Sequence, residues 1–345
     1  MDGTRRVRAA QVVPGCPERA RVVDVEFVGR ADEVVVDGLL VGVCGTDTEI
    51  VRDGFGEPPP GREELVLFHE SLGRVVSAPA DADVRAGDLV VGVVRRPDPA
   101  PCPACAAGAW DYCRNGRYLE RGIKGLDGYG ARRWSVPPGF AVRLDPALGD
   151  AGVLAEPASV VAKAWARGRR AWEEAHVAPR TALVTGAGPI GLLAALLGVR
   201  LGLEVHVVDR VADGPKPDLV RALGAHYHRE VPDVAVDVAV ECTGAPSVIW
   251  SVVRRSSVLV LAGLTGTHDP LPLDPAVFDG VVLGNKAVLG TVNAGLADYR
   301  AGAAALAEAD RSWLAGLITR RVPLERFTDA FERRDDDVKV VVDLA

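Results

Sequence analysis

The stretch TALVTGAGPIGLLAALLGVRLGLEVHVVDR (181–210) constrains the fold of this chain more than any other. A short Val-rich run ends at glycines spaced as Gly-x-Gly-x-x-Gly, at Gly186, Gly188 and Gly191, and an apolar helical pattern follows directly. A second strand-like run then ends on Asp209. Glycines in this order allow a tight turn, close approach of the backbone to a pyrophosphate, and helix–strand contact. Although the glycines could serve helix packing alone, the whole context predicts dinucleotide binding.

The acid after the second strand distinguishes the two nicotinamide cofactors. The carboxylate of Asp209 can accept both ribose hydroxyls of NAD, whereas its charge repels the 2′-phosphate of NADP. Arg210 and Lys216 are nearby cations that weaken this repulsion. We therefore expect NAD as the cofactor, with NADP as the alternative. The expected cofactor-binding residues are Gly186, Gly188, Pro189, Ile190, Gly191, Asp209 and Arg210.

The predicted pattern of strands and helices changes near residue 156 and again near residue 296. Residues 1–150 read as short Val-rich strands broken by Gly and Pro, among them ELVLFHESLGRVV (64–76), and predict a compact β domain. Strands and helices then alternate, which predicts a doubly wound parallel sheet. After residue 296 we expect two helices, at 296–309 and 324–336, and a final strand in VKVVVDLA (338–345).

Composition excludes several classes of protein. The formal net charge of −7 argues against a nucleic-acid or anionic-membrane partner. The start of the sequence has no signal-peptide pattern, and the longest uncharged apolar run (189–199) is too short to span a bilayer. We therefore expect a cytoplasmic protein with no membrane partner. Clustered cysteines in that compartment favour metal binding over disulfides.

Two β segments carry candidate metal ligands. VCGTDTEI (43–50) offers Cys44, Thr46, Asp47 and Glu49, and LVLFHESLGRVV (65–76) offers His69 and Glu70. A Cys, a His and a carboxylate are typical ligands of a catalytic zinc that keeps one position open for water or substrate. Taken singly, each side chain could instead be a core thiol, a buried histidine or a solvated charge.

The order of these motifs along the chain is more specific than any one of them. Cys-Gly-Thr-Asp, His-Glu-x-x-Gly, Gly-Asp-Leu-Val (87–90), a cysteine cluster and the glycine-rich unit resemble the zinc-dependent medium-chain dehydrogenases/reductases. The resemblance implies an α/β protein with a GroES-like β-rich catalytic domain (1–157 and 297–345) and a Rossmann domain (158–296). It also implies a homodimer or homotetramer.

A closer resemblance is to the glucose 1-dehydrogenase branch of that family. It depends on CGTDTEI, VVRRPDP (93–99), DYCRNGRYLERGIKGLDGYGA (111–131), LAEP (154–157) and NKAVLGTVN (285–293). This branch implies that the enzyme oxidises a small polyhydroxy substrate, an aldose at C1, to a lactone with NAD or NADP.

The resemblance also implies roles for individual residues. Cys44 and His69 match the catalytic zinc ligands, and Glu70 and Glu156 match carboxylates at or beside that metal. Thr46 matches the hydroxyl that bonds substrate and relays its proton. The substrate contacts that it implies are Glu120, Glu156 and Asn293.

Several positions depart from the pattern of the branch. Phe68 stands before His69 where Gly is usual, which implies either an ordinary backbone with a core ring or a ring that shapes the site. Val94, Val160 and the pair Leu283-Gly284 replace polar residues that some members carry. Lost polar contacts shift substrate choice, so another sugar, an aminosugar, a cyclitol, an aminocyclitol or another secondary alcohol is the alternative substrate. A metal-free dinucleotide-binding protein without enzymatic activity is a more distant alternative.

The segment PCPACAAGAWDYC (101–113) contains three cysteines, Cys102, Cys105 and Cys113. Their spacing matches the last three positions of the structural zinc lobe that the family implies, C-x2-C-x2-C-x7-C, while Pro99 stands at the first. We expect a structural zinc here. Three interpretations stay open: zinc completed by Asp98 or another oxygen, zinc completed by water, and an empty lobe with free thiols.

Overall fold

The computed structural model describes residues 5–265 and 274–345. Its polypeptide forms two compact units, one from residues up to Glu156 together with Asn293–Ala345, the other from Pro157–Val292. The domain limits predicted from the sequence, 1–157 with 297–345 and 158–296, lie close to these bounds and stay a prediction. No helix within the described ranges is both long enough and apolar enough to cross a membrane.

The strands are short, since Gly and Pro interrupt them often. In chain order they are β1 (Arg5–Val13), β2 (Cys16–Phe27), β3 (Val34–Val43), β4 (Leu65–Val66), β5 (Glu70–Ser77), β6 (Leu89–Gly92), β7 (Arg95–Arg96), β8 (Leu119–Arg121), β9 (Gly125–Leu126), β10 (Arg133–Val136), β11 (Ala141–Arg143), β12 (Thr181–Thr185), β13 (Glu204–Val208), β14 (His226–His228), β15 (Val236–Glu241), β16 (Ser256–Leu261), β17 (Ala287–Gly290), β18 (Ile318–Pro323) and β19 (Lys339–Asp343).

The helices carry proline in their first turn in several cases, where the missing N–H costs nothing. In chain order they are α1 (Gly45–Asp53), α2 (Pro103–Ala106), α3 (Ala155–Glu174), α4 (Pro189–Arg200), α5 (Pro215–Ala222), α6 (Pro246–Arg255), α7 (Ala276–Leu283), α8 (Leu296–Ala307) and α9 (Arg311–Leu317). Short 3-10 segments cover Trp110–Tyr112, Pro138–Phe140, Pro146–Leu154 and Leu324–Phe331.

The larger unit is built on a mostly antiparallel sheet with the strand order β11-β6-β5-β3-β19-β18. Strand β3 pairs with β5 on one side and with β19 on the other, so the C-terminal strand lies beside the N-terminal ones. Smaller sheets, β2-β1-β4 and β7-β8-β9, flank this one. One apolar core cluster joins residues from both ends of the chain, including Val41, Phe68, Phe327 and Val342.

The second unit contains a parallel sheet with the order β14-β13-β12-β15-β16-β17. From the central strand β12 the chain adds β13 and β14 on one side of the sheet. It then returns to the other side of β12 and adds β15, β16 and β17. This is the strand order of a doubly wound dinucleotide-binding fold. The predicted fold class is therefore confirmed.

Two elements differ from the sequence-based expectation. The segment ELVLFHESLGRVV is not one strand, because β4 ends at Val66 and β5 begins at Glu70. The segment expected to be a helix at 324–336 is a 3-10 segment over Leu324–Phe331 with a non-helical residue at Arg326. Packing of Phe327 and Phe331 into the core outweighs helical periodicity here.

Candidate active site

The first group of polar side chains lies where β3 ends and α1 begins. The Sγ atom of Cys44 lies 3.3 Å from His69 Nε2. Asp47, on the first turn of α1, is fully buried and accepts a hydrogen bond from the Cys44 backbone N–H through Oδ2 (2.9 Å). Cys44, Asp47 and His69 present ligand atoms within 4.8 Å of one another. Thr46 is half-buried on the same turn.

The chain reaches His69 through a break between two strands. Phe68 has φ 71°, a left-handed conformation that non-glycine residues rarely adopt. Its fully buried ring packs on Phe327 and Phe331, with centroids 6.1 and 6.2 Å away. Such a conformation costs roughly 1–2 kcal/mol, while a buried Phe contributes about 3–5 kcal/mol. The ring belongs to the core, and the backbone keeps the turn that glycine would give.

The second group joins the first at His69. His69, Glu70 and Glu156 offer ligand atoms within 4.8 Å of one another, and all three are buried. Glu156 is on the first turn of α3 and is 8% exposed. Burial, and next the charge of Glu70, raise the pKa of Glu156 to about 7. The cluster of His69, Glu70 and Glu156 therefore holds more negative charge than its surroundings stabilise.

A buried ammonium partly balances these charges. Lys339, at the start of β19 and 1% exposed, donates to Glu70 Oε1 (2.6 Å) and to the carbonyl of Val43 (2.9 Å). Gly42, opposite Glu70 in the β3–β5 register, leaves room for this pair, since a Cβ there would fall 2.1 Å from Glu70 Oε2. Burial alone would lower the pKa of Lys339, but Glu70 and Cys44 raise it.

The imidazole of His69 is oriented from both sides. Its Nε2 faces Cys44, and its Nδ1 lies 3.5 Å from Asp47 Oδ1. Burial would lower the pKa of His69, yet the charges of Cys44 and Asp47 outweigh burial and raise it well above its ordinary value. A carboxylate behind the second ring nitrogen is the usual partner of a metal-binding histidine.

The donor set of this pair of groups fits a zinc ion. A thiolate, an imidazole and a carboxylate are the ligands of catalytic zinc sites, which keep a further position open. The buried Asp47 Oδ1 and His69 Nδ1 atoms lack a hydrogen bond of good geometry in the described residues. A divalent cation would offset the negative charge that raises the pKa values of His69 and Glu156.

The sugar-contact residues expected from the sequence lie together in the same unit. Asn293 Nδ2 donates to Glu120 Oε1 (2.9 Å), and Asn293 Oδ1 accepts from the backbone of Ala294 (2.8 Å). Glu120 is 8% exposed, and Arg95 Nε also donates to its Oε1 (3.0 Å). Arg95 was not among the predicted site residues.

The three cysteines of the loop segment also come together. Cys102, Cys105 and Cys113 hold their Sγ atoms within 4.8 Å of one another, and no fourth Cys, His, Asp or Glu of the described residues joins this group. The carboxylate of Asp98 instead accepts hydrogen bonds from Ala100, Asn115 and Arg117 within its own loop. Backbone N–H groups, first that of Arg114, lower the pKa of Cys102 to about 6 and favour the metal-binding thiolate.

The glycine-rich turn in the second unit has the shape that a pyrophosphate requires. Gly186 has φ 86°, and a Cβ on Gly191 would fall 1.7 Å from the Gly186 carbonyl oxygen. A Cβ on Gly188 would meet no atom within 4 Å, so this side of the turn is open. Gly188 caps α4, which Pro189 begins, and its N-terminus can hold phosphate oxygens.

Asp209 is fixed at this turn. Its Oδ2 accepts from the backbone of Ala187 (2.7 Å) and its Oδ1 from that of Val211 (3.1 Å). Just beyond it, Arg210 and Arg229 help to line an open cavity of about 720 Å³. A carboxylate and guanidinium groups therefore follow β13 and β14, and their contact with the ribose of a dinucleotide stays a prediction.

Comparison with known proteins agrees with this geometry. Residues 149–344 match the model for the glucose dehydrogenase C-terminus, and residues 30–146 match the alcohol dehydrogenase GroES-like domain. Over 97% of its length the chain is 39% identical to glucose 1-dehydrogenase of Thermoproteus tenax, covering 99% of that protein. It belongs to the glucose dehydrogenase branch of the zinc-dependent medium-chain dehydrogenases.

Other members of this branch show the same relation. Glucose 1-dehydrogenase of Methanocella arvoryzae is 36% identical over 98% of the chain and 99% of its own length. The structure of Haloferax mediterranei glucose dehydrogenase in complex with NADP, Zn and gluconolactone superimposes with a TM-score of 0.88. That comparison covers 98% of this chain and 99% of the other at 30% identity. The family, the fold and the class of enzyme predicted from the sequence are confirmed.

The roles of the individual site residues in this glucose dehydrogenase relative stay predictions. The structure brings together each group that the sequence nominated and shows the contact of Asp47 with His69. Two further residues, Lys339 and Arg95, emerge from the structure alone. Asp47 follows Cys44 by three residues, a spacing that predicts a helix-capping contact. Lys339 and Arg95 are distant in sequence from their partners and gave no such signal.

The raised pKa of Glu156 predicts a proton release on zinc binding. At pH 6 the metal-free carboxyl, with a pKa of about 7, is mostly protonated and must lose its proton to ligate zinc. At pH 8 it is already ionised. Substitution Glu156→Gln should therefore reduce the protons released per zinc at pH 6 by about one and change little at pH 8.

Calorimetric zinc titrations in buffers of different ionisation enthalpy measure this release. Glu63→Gln, on an exposed carboxylate, is the matched control. Equal proton release by Glu156→Gln and the parent protein at pH 6 would contradict a ligand role for Glu156.

Proposed function

We propose that this zinc-dependent dehydrogenase oxidises the C1 hydroxyl of an aldose to a lactone and reduces NAD or NADP. The observation that carries the proposal is the two donor groups that share His69, one with Cys44 and Asp47 and the other with Glu70 and Glu156. They lie in the same unit as the Glu120–Asn293 pair. The names of the relatives, and the gluconolactone in the Haloferax mediterranei complex, support the sugar as substrate.

Cys44, His69 and Glu156 are the proposed ligands of the catalytic zinc, and Glu70 offers a further carboxylate held by Lys339. Zinc, when bound, supplies a Lewis acid that lowers the pKa of the substrate hydroxyl. Asp47 fixes the ring of His69, so Nε2 faces the metal position. Lys339 limits the negative charge that the folded site must stabilise before metal binds.

Other residues hold the substrate and move its proton. Thr46, beside Cys44 on the first turn of α1, takes the proton of the C1 hydroxyl in the proposed relay. Glu120 and Asn293 bind the other hydroxyls, since one accepts and the other donates. The hydrogen of the C1–H bond passes with its electron pair to the nicotinamide. Thr46 gives up its own hydroxyl proton as it takes that of the substrate, so one proton leaves to solvent.

NAD is the proposed preferred cofactor. The carboxylate of Asp209 is held at the glycine-rich turn by two backbone N–H groups, in position to accept ribose hydroxyls. Arg210 and Arg229 offset its repulsion of a 2′-phosphate, so NADP is also accepted.

A cyclitol, an aminocyclitol or another secondary alcohol is the second candidate substrate. Val94 stands where some relatives carry a polar residue, and it is 1% exposed, with its N–H donated to Tyr299 Oη (3.2 Å). A substrate that places no hydroxyl against Val94 would tolerate this position.

A substrate panel tests the function. The parent enzyme should oxidise at least one aldose at C1, with a larger kcat/KM for NAD than for NADP, and should oxidise cyclitols more slowly. Cys44→Ala should lower kcat/KM at least about a hundredfold, because a Lewis acid contributes several kcal/mol. Cys16→Ala is the matched control. Turnover of cyclitols without any aldose would replace the first candidate by the second.

We also propose that the cysteine lobe holds a structural zinc. Cys102, Cys105 and Cys113 supply three thiolates, and a water molecule completes the tetrahedral site in this proposal. The engagement of Asp98 within its own loop supports water over the carboxylate as the fourth ligand.

Metal analysis tests the lobe. The purified protein should contain two zinc ions per chain, Cys113→Ser should retain one, and Cys16→Ser should retain two. One zinc in the parent protein, lost in Cys44→Ala, would show that the lobe binds none.

A homodimer is the proposed assembly, with a tetramer as its further state. Strand β17 is an edge strand of the parallel sheet, and α7 beside it in sequence exposes Phe278, Val282 and Leu283. Apolar surface next to an open strand edge favours pairing with a second copy.

Analytical ultracentrifugation tests this assembly. The parent protein should sediment with at least the mass of a dimer, and the Leu283→Glu variant should have a smaller mass. A monomeric parent protein would refute the proposal.

A further inference from the structure

A buried arginine is paired with the proposed sugar-binding carboxylate. Arg95 on β7 and Glu120 on β8 are register partners, so their side chains share one face of the small sheet. Arg95 Nε and NH2 lie 3.0 and 2.9 Å from Glu120 Oε1. Asn293 Nδ2 reaches the same oxygen at 2.9 Å. Three N–H groups thus converge on one carboxylate oxygen.

The two oxygens of Glu120 are therefore unequal. Oε1 accepts from Arg95 and Asn293, while no donor from the described ranges 5–265 and 274–345 reaches Oε2. A carboxylate accepts hydrogen bonds only, so Oε2 is left to accept a hydroxyl. Its direction is fixed because rotation of the carboxylate would break the contacts at Oε1.

Arg95 is held in place from other directions as well. Its NH1 donates to the carbonyl of Asp111 (3.1 Å), and its guanidinium lies 3.8 Å from the centroid of the Tyr118 ring. The residue is 5% exposed. A planar guanidinium that directs two nitrogens at one carboxylate oxygen and stacks on an aromatic ring cannot be replaced by lysine without loss of geometry.

Strand β8 lies against the segment that carries the candidate zinc ligand. Gly122, directly after β8, approaches Phe68 so closely that a Cβ on it would fall 2.6 Å from the Phe68 carbonyl oxygen. That carbonyl accepts from the backbone of Tyr129 (2.7 Å). Phe68 precedes His69. The strand that carries Glu120 is thus held against the backbone next to His69, a candidate zinc ligand.

We infer that Arg95 is a positioning residue that sets substrate specificity: it fixes Glu120 so that Oε2 accepts one particular hydroxyl of the sugar. Arg95 acts through Glu120 and does not touch the substrate. The inference rests on the proposed aldose oxidation. A site built to bond a hydroxyl rejects analogues that lack it, so loss of this orientation should relax that selection.

A series of monodeoxy aldoses tests the inference. For the parent enzyme, one deoxy position should lower kcat/KM more than the others do. In Arg95→Lys that selectivity should fall about ten- to hundredfold, the range for one hydrogen bond to a charged group. The loss should appear mainly in KM for the full aldose, with the Kd of NAD unchanged.

Coupling to Glu120 separates positioning from a merely structural role. Glu120→Gln should reduce the same selectivity, and Arg95→Lys added to it should reduce it little further, because the two residues act as one unit. Arg96→Lys is the matched control: Arg96 is buried next to Arg95 but donates to the carbonyl of Val93 and packs on Phe140. It should change Tm and leave the selectivity intact.

The outcomes are distinguishable. If the parent enzyme oxidises no aldose, the proposed function fails first. If it oxidises aldoses and Arg95→Lys keeps the parent's selectivity among deoxy sugars, or loses rate equally on all of them, the inference about Arg95 is overturned.

Discussion

The ion pair between Glu70 and Lys339 is the contact on which the candidate active site depends. Glu70 and Lys339 are 269 positions apart in the chain. They lie on β5 and β19, which are the two neighbours of β3 in the sheet. Both charges are almost fully excluded from water, and a buried charge without a partner costs several kcal/mol. Only glycine at position 42 leaves space for the pair. The N- and C-terminal segments must therefore assemble before the site exists.

Electrostatics in the larger unit follow from this arrangement. One ammonium faces Glu70, while Cys44, Asp47 and Glu156 add further negative or potentially negative groups around His69. The fold holds these groups close together because core packing behind them is strong, as the strained but buried Phe68 shows. Close negative groups raise the free energy of the folded site, and a divalent cation would lower it.

Sequence patterns predicted the parts whose chemistry is local. The glycine-rich turn needs glycines at fixed spacing, so its geometry could be read directly, and Gly186 and Gly191 have the predicted steric roles. Candidate metal donors could be nominated because the chain has only six Cys and six His, so Cys44 and His69 stand out near strand ends. The break between β4 and β5 was missed, since LVLFHESLGRVV has the apolar pattern of one continuous strand.

The sequence by itself determined the family, the parallel dinucleotide-binding sheet and the identity of the candidate ligands, because these depend on residue type and short spacing. Tertiary structure alone decided how the polar groups pair. Lys339 reaches Glu70, Arg95 reaches Glu120, and Asp98 turns into its own loop. These contacts join strands far apart in the chain or compete with equally good local donors. Their outcome depends on sheet register and burial, which no local pattern encodes.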